Sequence, residues 1–385
     1  MTAGSDLGGP LLVDYLSVDP VTSTVGSSQV LAYVERLAAH GIRVRLHSFE
    51  DLGRRSEIGS LRRRLDAAGV EWRPRRYGRG GPIGGLWRVV RGARALRGAE
   101  MVHARSDLAA AAVLLAGVRH WVWDVRSLYV DQKIATGVMS QRSVQAWILR
   151  WVERRAAFRS TAVVTLTESA IDELDRRYGG VVGPKASVIT TCVDVGRFRP
   201  TAIPDGPVGV LISGTLNAYY DVPAMLAVVK ELGRRRPTRL VVASPASTSW
   251  DDLLEEAGAI RCRSSSHDMP AVVQDSHVGL GICRDDAGVS LLAAMPTKFG
   301  EFLAAGRPVV VNAGLVDAAE MVRRTGAGVV HDPPGDPRRT VDALLDVLDD
   351  PATGERCRTL ALDHFNLETG VARLAEIYRS VSATV

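Results

Sequence analysis

In the stretch PTKFGEFLAAGRPVVV, residues 296–311, a cation and a carboxylate stand three residues apart, Lys298 and Glu301, in otherwise apolar company. The chain has only four lysines among its 48 Lys and Arg residues, so a lysine at this position is a departure from its habit. RPVVVN reads as a buried strand, which places the residues before it on a short helix with Pro296 in its first turn and Gly306 at its stop. Lys298 then lies in the first turn, where a cation opposes the helix dipole and needs an anion to offset it. Glu301 falls on the same face and can accept both hydroxyls of a ribose, while Phe299, Phe302 and Leu303 turn to the core. The plainer alternative is an ion pair between the two, worth about a few tenths of a kcal/mol.

Three other places carry chemistry. LISGTLNAYYD (211–221) puts Gly214 and Thr215 directly after a strand, where backbone could approach a phosphate or simply turn. TSTVGSSQV (22–30) puts Gly26, Ser27 and Ser28 between a first strand and a first helix, as an anion or sugar loop or as a helix cap. VHARSD and VWDVRSLYVDQ bring His103, Arg105, Asp124 and Arg126 to strand ends, either as a cleft or as a buried carboxylate paired with arginine.

These groups need elements to hold them. Short apolar runs alternate with helix-period stretches along the chain, the pattern of parallel sheets covered by helices on both faces. Strands are expected at 11–16, 42–49, 99–103, 120–125, 161–166 and 186–190, then at 208–214, 238–244, 277–283, 307–312 and 326–331. Gly41 should end a helix before the second strand. The proline- and charge-rich segment 194–207 reads as a linker, and 367–381 as a closing helix. The expected organisation is a first domain over 1–200, a second over 201–365 and a closing helix over 366–385, with ligands beyond the carboxyl ends of the strands.

Composition narrows the classes. With 385 residues the chain can fill two domains, and 46% hydrophobic with 24% charged residues excludes a disordered or fibrous chain. The longest apolar run, LAAAAVLLAGV (108–118), is too short to cross a bilayer, and MTAGSDLGGP lacks the pattern of a signal peptide, so a cytoplasmic protein is expected. Cys192, Cys262, Cys283 and Cys357 form no CxxC pair and read as packing residues. Residues 51–100 hold thirteen arginines against five acids, a solvated face or a surface from Arg54 to Arg97 that meets anionic lipid or an anionic substrate. No G-x-G-x-x-G follows a strand and no P-loop pattern occurs, which argues against a dehydrogenase or a nucleotide hydrolase. Nothing points to nucleic acid.

In order along the chain, TVGSSQVLAYVERLAAHGIRVRLHSFE, VHARSD, DVRSLYVDQ, VVTLTESAIDEL, TTCVDVGRFRP and PTKFGEFLAAGRPVVV resemble the family 4 retaining glycosyltransferases. The resemblance covers nearly the whole chain and implies an α/β architecture of the GT-B kind, two doubly wound Rossmann-like domains facing a cleft. It implies that the second domain binds a nucleotide diphosphate sugar as donor substrate, with Glu301 on the ribose and Lys298, Pro296, Thr297, Gly214 and Thr215 around the diphosphate. The first domain would bind an acceptor, a natural-product scaffold, small molecule or lipid-linked saccharide, with Arg126, Asp124 and His103 as catalytic groups at the cleft. Transfer would proceed with retention and with no resident cofactor.

The chain departs from that pattern in places. Relatives carry an arginine and a lysine in the turn where GTLNAYY stands, so Thr215 and Tyr220 take their places. Ala293 stands where many have an earlier glutamate, and the usual cleft histidine is replaced near Arg126. No D-x-D occurs, which implies activity without a bridging metal. A catalytically silent GT-B partner protein, or an enzyme that uses a sugar donor without forming an ordinary O-glycoside, fits the same features.

Overall fold

The computed structural model describes residues 11–244, 247–263, 265, 267–332 and 336–384. The stretch MTAGSDLGGP, read above for a signal peptide, lies outside the described residues. Thirteen strands form two sheets among them. The first takes β1 Leu11–Ser17, β2 Ile42–Glu50, β3 Val70–Arg76, β4 Met101–Arg105, β5 His120–Val125, β6 Ala162–Thr165 and β7 Ala186–Val188, in the order 3-2-1-4-5-6-7. The second takes β8 Val208–Ser213, β9 Thr238–Ala243, β10 Ile260–Cys262, β11 Val278–Gly281, β12 Val309–Asn312 and β13 Gly328–His331, in the order 10-9-8-11-12-13. Every pairing within them is parallel. Each sheet therefore has a point where the strand order reverses, between β1 and β4 and between β8 and β11, and a crevice opens there at the carboxyl edge.

Eleven strands sit where hydrophobic runs place them; β3 and β10 do not announce themselves. VEWRPRR is mostly charged because β3 is an edge strand, with one neighbour, two covered side chains in Val70 and Trp72, and a proline that an edge tolerates. β10 is a three-residue edge on the other sheet. Gly41 ends its helix at φ 75°, the left-handed stop its position suggests. The four cysteines are free, three of them buried.

The chain crosses between the two sheets twice, and the crossings lie side by side. The Val193 amide donates to Phe365 O at 2.7 Å and the Leu367 amide to Val193 O at 3.0 Å. The last helix, Leu367–Ser382, then returns to the first sheet, where Val371, Leu374, Ala375 and Tyr378 join the core under β1, β2 and the helix Ala32–Leu37. Facing surfaces also bond across the cleft: Thr167 Oγ1 donates to Leu292 O at 2.6 Å, and the Asp317 carboxylate accepts the amides of Glu168 and Ser169 at 2.7 and 3.2 Å. Asp317 thus caps the helix Glu168–Tyr178 from the opposite domain.

The arginine-rich stretch does not make one surface. Helix Arg55–Ala67 packs through Leu61 and Leu65 on the side of the sheet that holds Val13 and Val44, whereas helix Gly81–Ala95 packs through Val89 and Ala93 on the other side, with Leu16 and Phe49. Arg54 and Arg64 in the first part pair with Glu57 and Glu35 at 2.9 and 2.7 Å. Among the described residues no helix is long and apolar enough to cross a membrane.

Candidate active site between the two sheets

At the reversal point of the second sheet the helix Thr297–Ala304 lies directly on β11. Two glycines make this close approach possible. A Cβ on Gly279 would sit 2.2 Å from the Phe302 ring, and one on Gly281 would sit 2.8 Å from Phe299. Gly300, on the helix itself, leaves room for Phe365, which a Cβ there would meet at 3.0 Å. The alternate glycines of VGLG are thus the socket into which Phe299 and Phe302 lock the helix.

So held, the helix carries Lys298 across the carboxyl end of β8. Its Nζ donates to Ser213 O at 3.0 Å and stands 4.0 Å above the Tyr220 ring. Burial lowers the ammonium to about 8. An ammonium has three donors, and Ser213 takes one of them. Pro296 is the residue before the first helical turn, with ψ 128°, not a member of it, and Thr297 opens the helix. Gly214 follows Ser213 at φ 90°, in the region that favours glycine, but its amide donates to Ala243 O at 2.8 Å, so it extends the sheet and is not open to a phosphate. Thr215 beside it is exposed.

Glu301, one turn on, is half-buried and has no hydrogen-bond or ion-pair partner among the described residues. Burial raises its carboxyl to about 7 against the weaker pull of Arg197 and Lys298. The ion pair between Lys298 and Glu301 does not form: the lysine turns to Ser213 and Tyr220, leaving the carboxylate with open acceptor positions. Ala293, in the position discussed above, is fully buried in the core of the first domain, so the segment Asp285–Ala293 is an interdomain contact here.

The first sheet faces this helix with a different constellation. Asp124 Oδ2 accepts from Arg126 Nε at 2.9 Å and lies 3.1 Å from His103 Nε2. The other ring nitrogen of His103 is 2.9 Å from Tyr378 Oη of the last helix, and Tyr15 stacks on the imidazole at 4.2 Å. Burial pushes Asp124 up, but Arg126 and His103 outweigh it and hold the carboxyl at about 2. Burial lowers His103 further than Asp124 can raise it, so the imidazole is neutral. Asp124 and His103 are 0% and 1% exposed. Both expected catalytic side chains are therefore covered, and Asp124 holds Arg126, which reaches the surface with one buried Nη lacking a partner among the described residues.

Gly26, Ser27 and Ser28 are not a loop. Gly26 ends the short helix Thr24–Gly26, and Ser27 and Ser28 open a π-helical segment, Ser27–Leu31, that continues into Ala32–Leu37. Ser23 is the cap, its Oγ accepting the Gly26 amide at 3.0 Å, and Gly26 is required because a Cβ would lie 2.4 Å from Pro20 O. The true loop is 18–23, tied down by the fully buried Glu50, which accepts the Val21 amide at 2.9 Å and the Thr22 hydroxyl at 2.7 Å. A π turn inserts one residue and shifts the faces of the helix, a feature frequent at functional sites. Here its buried Gln29 donates Nε2 to Thr297 Oγ1 at 3.1 Å, across the cleft, with its Oε1 unpartnered among the described residues.

Gln29 had no signal in the sequence, because its partner is 268 residues away. Nor had Ser106, which follows β4 at φ 76° as the only non-glycine with positive φ among the described residues. That strain lies at the reversal point of the first sheet, next to the buried Arg105, whose Nε also lacks a partner among the described residues. Lys298, Glu301 and Thr297 on the second domain and Gln29, Arg126 and Arg105 on the first thus lie toward the carboxyl edges of their sheets, and Gln29 and Thr297 bond the two sides together.

Comparison with known proteins places this geometry. Residues 26–192 match the model of the glycosyl transferase 4-like domain. No curated protein matches the chain. Among solved structures, sucrose-phosphate synthase from Thermosynechococcus elongatus superposes with a TM-score of 0.70 at 16% identity over 97% of this chain and 100% of that one. A glycosyltransferase from Rickettsia africae ESF-5 gives 0.68 at 13% over 97% and 99%. Anabaena Alr3699/HepE, solved in complex with UDP and glucose, gives 0.69 at 14% over 96% and 100%. At these identities the likeness is one of fold, and the fold is GT-B.

Proposed function

We propose that this GT-B protein, whose first domain resembles those of family 4, is a glycosyltransferase that moves a sugar from a nucleotide diphosphate sugar to an acceptor. The observation that carries the reading is the pair on one short helix at the reversal point of the second sheet: a buried ammonium that gives one hydrogen bond among the described residues and, one turn on, a half-buried carboxylate without a partner among them. Glu301 would accept the ribose hydroxyls, where its open acceptor positions become filled. Lys298 would meet the diphosphate, whose charge also restores the proton affinity that burial removes.

As the glycosidic bond breaks, negative charge grows on the leaving diphosphate, and groups already fixed in place stabilise it without reorganising. Lys298 is fixed from two sides, by Ser213 and Tyr220. Arg126, held by Asp124, would supply a second charge from the other domain when the cleft closes on its paired hinge. Retention at the anomeric carbon and independence from a divalent metal complete the proposal, the second motivated by the absence of D-x-D. The Anabaena neighbour's UDP and glucose support a nucleotide sugar as the donor.

Thermal-shift titration with UDP, GDP and dTDP, followed by measurement of nucleoside diphosphate released from the matching donor sugars, tests it. Stabilisation by one of them with turnover on an acceptor is expected. The turn 214–220, which contains no lysine or arginine, favours a second reading as a silent partner protein, and binding without any release under all donors and acceptors would favour that one.

A further inference from the structure

We propose that helices Gly81–Ala95, Asp107–Ala116 and Val144–Arg159, packed side by side on one face of the first sheet, form a docking face for an anionic lipid bilayer. The outer surface of Val144–Arg159 is apolar where a solvated helix should be polar: Val144, Trp147, Ile148, Trp151 and Phe158 are exposed, Trp147 at 70%. Two helices away, Ile83 and Leu86 are exposed at 84% and 66%. Single exposed apolar residues are ordinary, but two tryptophans one helical turn apart, flanked by isoleucine and phenylalanine, are a patch.

The charges on this face have one sign. Among the described residues, these three helices expose no aspartate or glutamate: Asp107 and Glu153, the two acids they contain, are 2% and 1% exposed. Their exposed cations are arginines, and several lie over the aromatic rings, Arg91 on Trp87 at 4.8 Å, Arg155 on Trp151 at 5.2 Å and Arg154 on Phe158 at 5.9 Å. Guanidinium on tryptophan beside bare aliphatic side chains suits the boundary between headgroup phosphates and acyl chains.

The two kinds of residue are also ordered. In Gly81–Ala95 the exposed apolar residues occupy the first turns and Arg91 and Arg94 the later ones; in Val144–Arg159 Val144, Trp147, Ile148 and Trp151 likewise precede Arg154, Arg155 and Arg159, with Phe158 alone among the arginines. Both helices run back against the strands, so their first turns lie toward the carboxyl edge of the sheet, the edge that faces the cleft. Docking by the apolar end would therefore set the mouth of the cleft toward the membrane, with arginines at headgroup level behind it. A second copy is the poorer occupant, because a two-fold contact would bring this acid-free surface against itself and leave its arginines facing arginine or apolar groups. Docking here does not depend on glycosyl transfer.

The full chain should float with vesicles of phosphatidylcholine and phosphatidylglycerol, far less with phosphatidylcholine alone, and less as salt rises. Brominated acyl chains should quench its tryptophan emission. Trp147→Ser with Trp151→Ser should weaken partition at least about tenfold and remove most of the quenching, while thermal melting stays unchanged because both side chains are exposed. Arg154→Glu with Arg155→Glu should abolish the preference for the anionic vesicles. Equal partition to both vesicle types, or emission untouched by bromine, overturns the proposal. So does sedimentation showing a dimer that the tryptophan substitutions dissociate, since the occupant is then a second copy.

Discussion

Lys298 and Ser213 are bonded at 3.0 Å, side chain to carbonyl, so the first turn of one helix is tied to the last residue of a strand 85 positions earlier. The bond aims the ammonium along the carboxyl edge of β8, over the crevice where the strand order reverses. If that ammonium meets the leaving diphosphate, Lys298→Met lowers turnover by about 100-fold or more, comparable to loss of an oxyanion donor. Steady-state kinetics with the donor identified by thermal shift, on protein checked by circular dichroism, decides it; near wild-type turnover places the diphosphate elsewhere.

Glu301 should act mainly on binding. Glu301→Ala is expected to weaken nucleotide affinity by about 1.5 to 3 kcal/mol, the range for hydrogen bonds to a charged group. Calorimetry on the folded variant reads it directly, and unchanged affinity removes Glu301 from the ribose.

The same two residues shape the pH dependence of the unliganded protein. Glu301 is raised from 4.5 to about 7, so its contribution to stability is full below pH 4.5 and is lost as pH climbs to about 7. Lys298 is lowered from 10.5 to about 8, so the folded state gives up this proton first, and stability recovers as pH rises from about 8 to 10.5. Between pH 7 and 8 both are charged and both destabilise. Urea unfolding from pH 4 to 10.5 should show Glu301→Gln losing the slope on the acid side and Lys298→Met the slope on the basic side; parallel curves for all three proteins would contradict these assignments.

Gly279→Ala tests the socket. A methyl group 2.2 Å from the Phe302 ring must displace the helix Thr297–Ala304, with an expected stability cost of about 1 to 3 kcal/mol. Nucleotide affinity should fall with it, because Lys298 and Glu301 ride on that helix. Phe302→Leu in the same protein should restore part of both, as measured by denaturant unfolding and calorimetry.

Removing the Arg126 guanidinium leaves the Asp124 carboxylate buried against a neutral histidine. Arg126→Met is expected to destabilise the protein by about 3 to 5 kcal/mol, and adding Asp124→Asn to recover a large part of it. Denaturant midpoints for the two single variants and the double variant measure the coupling. Additive losses would mean that the two side chains do not depend on one another.

Much of the fold was legible because hydrophobic runs of strand length report burial on both faces of a parallel sheet, and β1, β5 and β8 begin where those runs begin. The Lys298 and Glu301 helix was legible for the same reason: two charges in apolar surroundings, between a proline and a glycine, are local facts. What the sequence left open was every relation between distant residues. It offered an ion pair between Lys298 and Glu301 as readily as two separate sites, and only the approach of Ser213 and Tyr220 decided against the pair. It put Gly26, Ser27 and Ser28 in a loop because glycine and serine favour loops, whereas the close approach of Gly26 to Pro20 and the π-helical turn that Ser27 and Ser28 open place them in helix. His103 and Asp124 looked like cleft residues by their strand-end positions. His103 is covered by Tyr15 and by Tyr378, the second on a helix that returns from the far end of the chain. Local pattern determines which face of an element is apolar; which elements meet, and so which polar groups are covered or left open, is settled only by packing across the whole chain.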